Sequence, residues 1–318
     1  MNTQIVYVST SGPDDLYFEE TALSAYSLKS HQPDAYVVLV VDQDTRKAIT
    51  GNREKLLCYF DNVQVVQCPD EYNQHQRSRY LKTTLRERIK GDFLYIDGDT
   101  IICQPLAAID QCHASVAAAI DKHLSLAVHP RRESTDQNLA KYFNYKRTQK
   151  DVNFFNSGLL FVRDDETAHR LYAEWHRLWK EGLGKGLKID QPALLIANHN
   201  CGYPIQELDG TWNCQVMDNG LRYLVNAKIL HYFASNGKDT CFLLKEKAIF
   251  QEMKQTGIIN EHTKEIVSKA RQAFAEKVML VADSEADFMT SHIYTCYRHH
   301  NWLYKIINNT LGVVFRAF

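Results

Sequence analysis

Phe93-Leu94-Tyr95-Ile96-Asp97-Gly98-Asp99-Thr100, the stretch FLYIDGDT, drives four apolar residues into two carboxylates separated by a glycine. If the chain stays extended past Ile96, period-two alternation projects Asp97 and Asp99 on one side. Like charges so placed make each other harder to ionise, and a proton, a basic side chain or a divalent cation relieves the repulsion. Gly98 would let a ligand approach the backbone. A solvated acidic turn after a core strand is the plainer reading of an isolated D-x-D, because Asp and Gly favour turns in their own right. The surroundings must decide.

Upstream, IVYVST (5–10) and YVVLVVD (36–42) are apolar runs rich in β-branched residues, the second so continuous that both its faces must be covered. Phe18, Ala22 and Ala25 recur between them at helical spacing and Pro33 follows, giving a β-α-β unit. NVQVVQC (62–68) predicts a third strand, SRYLKTTLRERIK (78–90) a helix stopped by Gly91, and DFLYID (92–97) a fourth strand. Strands alternating with helices of this length predict a largely parallel sheet covered on both faces. Ligands of such sheets sit at the carboxyl ends of the strands. Asp97 and Asp99 lie at one such end, and Ser9, Thr10 and Asp42 at others.

Downstream, residues 122–152 are polar, basic and aromatic without clear periodicity, which predicts a long excursion over an active site. NSGLLFVRD (156–164) resumes strand character, and a helix follows from Asp164 with Ala168, Leu171, Trp175 and Leu178 on one face and Gly182 and Gly184 at its end. DQPALLIANH (190–199) predicts a short helix that tolerates Pro192 in its first turn, and AKILHYF (227–233) a final strand carrying His231. Beyond residue 243 the pattern is helical, so a domain of residues 1–243 and a helical extension of 244–318 are expected. No internal repeat interrupts this order.

Composition excludes several classes. Of 318 residues, 45% are hydrophobic and 24% charged, which is ordinary globular usage and argues against disorder. The 37 basic and 38 acidic residues leave a formal charge of -1, so no global field selects nucleic acid. The eight cysteines form no C-x-x-C pair and read as reduced thiols. No signal peptide and no membrane-spanning run is apparent, so a cytoplasmic location is expected.

FLYIDGDTII, then FFNSGLLFV, DQPALL and ILHYF in that order, resembles the motif set of the family 8 retaining glycosyltransferases, and residues 4–42 resemble that family's first nucleotide-binding unit. The resemblance covers roughly residues 4–240 and implies an α/β GT-A fold, a Rossmann-like mixed sheet flanked by helices. It implies a UDP-sugar donor and transfer to a glycan or lipid-linked acceptor with retention of anomeric configuration. A divalent cation, Mn2+ or Mg2+, would be held by Asp97, Asp99 and His231. Arg79 and Lys82 would contact phosphate or sugar, with a solvated helix face as their alternative. Asn156, Ser157, Gly158 and Asp190 would receive the sugar hydroxyls, and Gln191 would sit near the reacting face of the anomeric carbon. Lys238 matches a phosphate-binding position only loosely, since Gly237 and Lys238 are kept but the usual Pro-Trp is missing. Ser9, Thr10 and Asp42 are nucleoside contacts by position alone.

Two rivals stand beside this expectation. A strand ending in D-x-D-x-T also marks haloacid-dehalogenase-like phosphatases, with Asp97 as nucleophile, Asp99 as general acid, and Asp283 and Asp287 of VMLVADSEAD (278–287) as magnesium ligands. That family opens with its first aspartate motif, whereas about 90 residues precede it here. A sugar-nucleotide-binding protein without catalysis is the other. The aromatic and basic tail could contact a membrane surface or pack against the catalytic domain or a second subunit, so peripheral membrane contact and homo-oligomerisation are further expectations.

Overall fold

The apolar run at 36–42 becomes strand β2 (Val37–Asp42), with all six residues buried. It pairs in parallel with β1 (Gln4–Ser9), and β1 pairs in parallel with β4 (Phe93–Ile96). In this computed structural model, residues 1–216, 218–232, 242–273, 288 and 291–314 are described. Alternate side chains of the three strands enter different cores. Ile5, Tyr7, Leu39, Val41, Leu94 and Ile96 face one layer, while Val6, Val8, Val38, Val40, Phe93 and Tyr95 face the other. Each such Val or Ile contributes about 1.5–3 kcal/mol of burial.

The seven-stranded sheet runs β3-β2-β1-β4-β7-β6-β8, with β3 at Asn62–Val66, β7 at Phe155–Val162, β6 at Val116–Ile120 and β8 at Ile205–Glu207. Its first four strands are parallel; β7 is antiparallel to both β4 and β6, so the sheet is mixed. A small sheet, β5 (Thr100–Ile102), β10 (Ile229–His231) and β9 (Cys214–Gln215), stands beside it. Helices α1 (Tyr17–His31), α8 (Lys247–Thr256) and α9 (Glu261–Ser268) bury apolar residues in the first core. Helices α3 (Gln74–Thr83), α4 (Leu85–Arg88), α6 (Glu166–Gly184) and α7 (Gln191–Asn200) cover the second. The remaining helices are α2 (Gln43–Ala48), α5 (Arg132–Phe143), α10 (His292–His299) and α11 (Asn301–Val314). The seven described cysteines are unpaired.

Three expectations meet a different local outcome. The single helix at 78–90 begins four residues earlier, under a capping box of Asn73 and Gln76, and breaks at Thr84. Thr83 and Thr84 turn their hydroxyls back onto carbonyls one turn earlier, Arg79 and Tyr80, which competes with regular helix. The excursion at 122–152 contains α5, which buries only Thr135 and Leu139 and so shows no apolar stripe. Beyond residue 243, Ile249, Phe250, Met253, Ile259 and Val267 belong to the same core as β1 and α1. Finally, the extended conformation does not persist past Ile96: residues 97–99 bend from the large sheet into β5 of the small one.

Candidate functional site

That bend, rather than strand alternation, sets the two aspartates. The Asp97 amide still donates to the Gly158 carbonyl of β7 at 2.8 Å, and the Thr100 hydroxyl closes the turn on the Asp97 carbonyl at 2.8 Å. Thr100 of β5 then pairs with His231 of β10, which carries the imidazole alongside. One ligand atom from each of Asp97, Asp99 and His231 lies within 4.8 Å of the others. His231 Nε2 is 3.2 Å from Asp99 Oδ1.

The direction of the hydrogen bonds behind His231 is fixed from its far end. The buried Asp121 carboxylate can only accept, so Asn156 presents its NH2 to it at 2.7 Å. The Asn156 carbonyl oxygen then accepts from Asn213 at 3.1 Å and from the Gly158 amide at 3.0 Å. The Asn213 oxygen is left to accept from His231 Nδ1–H at 3.0 Å. Nε2 is thereby turned toward the carboxylates, the arrangement a metal-binding imidazole needs. Burial by itself would lower the His231 pKa, but Asp99 and Asp97 outweigh it and the net shift is upward.

The residues present fit a metal ion. Two carboxylates and an imidazole form a donor set able to hold a divalent cation. Space is reserved as well: a Cβ on Gly158 would lie 2.6 Å from Asp97 Oδ2 and 2.7 Å from His231 Cε1. Gly98 is equally constrained, its Cβ direction running into Thr21 Oγ1 of α1.

Asp97, Gly98 and Asp99 open onto a cavity of about 570 Å³. Ser9 and Thr10 from the end of β1 line it, as do His75, Arg79 and Lys82 on one face of α3. Lys82 is 4% exposed, its ammonium 3.1 Å from Asp97 and 5.0 Å from the Tyr95 ring centre. A solvated helix face does not describe it. The Ser9 hydroxyl is buried without a hydrogen-bond partner among the described residues. Asp42 is placed otherwise: it is 0% exposed, caps α2 through the Thr45 amide and pairs with Arg77. Its carboxylate is thus taken, and the nucleoside contact expected of it finds no access.

Ser157 donates to Asp190 at 3.1 Å, and Arg79 Nε approaches the other Asp190 oxygen at 3.7 Å. Burial raises the Asp190 pKa, yet Lys82 and Arg79 hold it below the ordinary carboxylate value. Asp190 stands at the cap position of α7 without capping it, because its side chain serves Ser157 instead. The half-buried Gln191 donates to the Phe155 carbonyl at 3.3 Å. Lys238, Asp283 and Asp287 lie outside the described residues.

Sequence reasoning passed over Tyr95, Asp121, His129 and Asn213. Tyr95 gives its hydroxyl to Asp97 two residues on, across the end of β4. His129 accepts the Arg131 amide on Nδ1 and donates from Nε2 to Asp121 at 3.0 Å, a closure that no spacing in the chain announces.

No protein-family model matches the sequence, and no curated protein matches it. Solved structures do. The galactosyltransferase LgtC in complex with donor and acceptor sugar analogs aligns with a TM-score of 0.52 at 16% identity, over 83% of this chain and 99% of its own. An active-site mutant of LgtC aligns with a TM-score of 0.52 at 17% identity, over 84% of this chain and 100% of its own. The chain has the GT-A-type fold of family 8-like glycosyltransferases. No helix among the described residues is long and apolar enough to cross a membrane.

Proposed function

We propose that this protein is a metal-dependent glycosyltransferase that moves a sugar from a UDP-sugar to a glycan or lipid-linked acceptor with retention of configuration. The observation that carries the reading is the convergence of Asp97, Asp99 and His231 at the mouth of a cavity walled by Arg79 and Lys82. The fold supports it, because the solved structures the chain resembles are glycosyltransferases. The same likeness leaves the phosphatase reading without support.

Asp97, Asp99 and His231 would hold Mn2+ or Mg2+. Such a cation stabilises the negative charge that develops on a departing diphosphate more than the charge of the bound substrate. Lys82 and Arg79 supply fixed positive charge to the same cavity, and Ser9, Thr10 and the Gly98 backbone offer contacts to the nucleotide. Asn156, Ser157 and Asp190 form the polar wall against which the sugar hydroxyls would lie. The Gln191 amide, tethered through its nitrogen to the Phe155 carbonyl, keeps its oxygen for the reacting face. An amide is a poor nucleophile, so retention would proceed by attack of the acceptor on the face the leaving group departs from. Lys238 is retained as a phosphate contact on the sequence resemblance alone.

Residues 1–243 would form the catalytic unit and 244–318 its extension, in the cytoplasm. On α11 the exposed Trp302, Ile306 and Val313 support contact with a membrane surface, where a lipid-linked acceptor would be presented.

Calorimetry of UDP binding with and without manganese tests the reading. Manganese should strengthen binding in the native chain, and Asp99→Asn should remove that dependence. Nucleotide binding indifferent to both would refute it.

A further inference from the structure

A second cavity, of about 430 Å³, opens between the loop after β6 and helix α10, within the size range of about 300–1,000 Å³ of small-molecule sites. Its charge is one-sided. Lys122 and Asp218 pair with each other, and the remaining permanent charges on its walls are the guanidiniums of Arg131 and Arg298. Neither has an ion-pair or side-chain hydrogen-bond partner among the described residues, and His299 and His300 add two more basic groups. Tyr294 contributes an aromatic ring to the same walls.

The cavity shares two supports with the candidate active site. Lys122 directly follows Asp121, whose carboxylate holds Asn156. Asp218 and Asn219 follow Gln215, which pairs in β9 with His231, and Gln215 Oε1 accepts the Lys122 amide at 2.7 Å. The Asn219 side chain donates to the Lys122 carbonyl at 3.3 Å, tying the two walls together. Lys122 and His123 both adopt left-handed backbone, at φ 54° and 53°, conformations that non-glycine residues hold only where the surroundings enforce them. The chain is thus bent at this point, next to the polar wall assigned to the donor sugar.

We infer that this cavity receives the acceptor and that the acceptor carries an anionic group, a carboxylate or a phosphate, gripped by Arg131 and Arg298 while a sugar ring lies against Tyr294. The inference rests on the transferase reading above. Guanidiniums from two separate elements can each form charge-assisted bonds to such a group, and their planar forks suit carboxylate and phosphate alike.

Titration of the full chain, saturated with manganese and UDP, with methyl glucuronide, methyl galactoside 6-phosphate and neutral methyl galactoside tests this. At least one anionic sugar should bind about tenfold or more tightly than the neutral one. A preference for only one of them names the anionic group. The double substitution Arg131→Gln with Arg298→Gln should erase the preference while manganese-dependent UDP binding stays within about twofold, since both side chains are exposed. Equal binding of neutral and anionic sugars, survival of the preference in the double variant, or inorganic phosphate binding as tightly as the phosphorylated sugar would each overturn the proposal. The last outcome would leave an adventitious ion only. The two readings fail separately: loss of manganese-dependent UDP binding in the native chain strikes the transferase assignment, whereas loss of the anion preference with that binding intact strikes this one.

Discussion

Asp42 ends β2 and Asp97 directly follows β4, both in the parallel part of the mixed sheet, yet they stand in opposite circumstances. Asp42 is followed at once by α2, so its carboxylate caps that helix and pairs with Arg77. Asp97 is followed by Gly98 and a bend, with no helix to cap, and its carboxylate opens onto the large cavity beside Lys82 and Tyr95. A carboxylate at the end of a strand is therefore not in itself a site. What the chain does in the next two residues decides whether the charge serves the fold or a ligand.

The largest effects should come from the Asp97 side of this contrast. Asp97→Asn, Asp99→Asn and His231→Ala should each weaken manganese-dependent UDP binding by about 100-fold or more in calorimetry, as loss of a direct ligand does. Gly158→Ala should do as much, because its methyl would lie where the ligand atoms converge. Asp42→Asn should instead lower stability by about 3 kcal/mol in urea titration and leave UDP binding within about twofold. Loss of metal-dependent binding in Asp42→Asn, or its retention in Asp99→Asn, would collapse the distinction.

A second tier tests the support behind the ligands. Asn213→Leu breaks the hydrogen bond that orients His231, and a loss of about 10–100-fold in manganese affinity is expected, the usual effect of removing an outer partner. Gln191→Ala should reduce turnover by roughly 100-fold with nucleotide affinity little changed. A loss confined to affinity would place Gln191 among the binding residues instead.

The smallest effect concerns pH. Burial, aided by Arg222, depresses the His123 pKa to about 4, and burial, aided by Lys180 and Arg88, depresses His176 to about 4. Below about 6.5 the unfolded chain takes up protons that these folded imidazoles refuse. Stability should therefore fall as pH drops from about 6.5 to about 4, by on the order of 1 kcal/mol for each histidine after solvent screening is discounted. His176→Gln should flatten the decline in melting temperature over that window, and an unchanged profile would assign the decline elsewhere.

By itself the sequence determined the elements whose signal is local. A run such as VVLVVD must be buried on both faces whatever surrounds it, and α6 displays its apolar stripe at helical spacing. FLYIDGDT likewise announced a strand running into concentrated charge. The tertiary structure alone decided what that charge faces. His231 is 132 residues from Asp99 along the chain, and the pairing of β10 with β5 brings them together. Asp42 and Asp97 carry the same local signal and part company only through Thr45, Arg77 and the cavity beyond Gly98. The reason is one of range: periodicity and capping act over a few neighbouring residues, whereas a cation site needs ligand atoms a few ångströms apart that only a closed fold can gather.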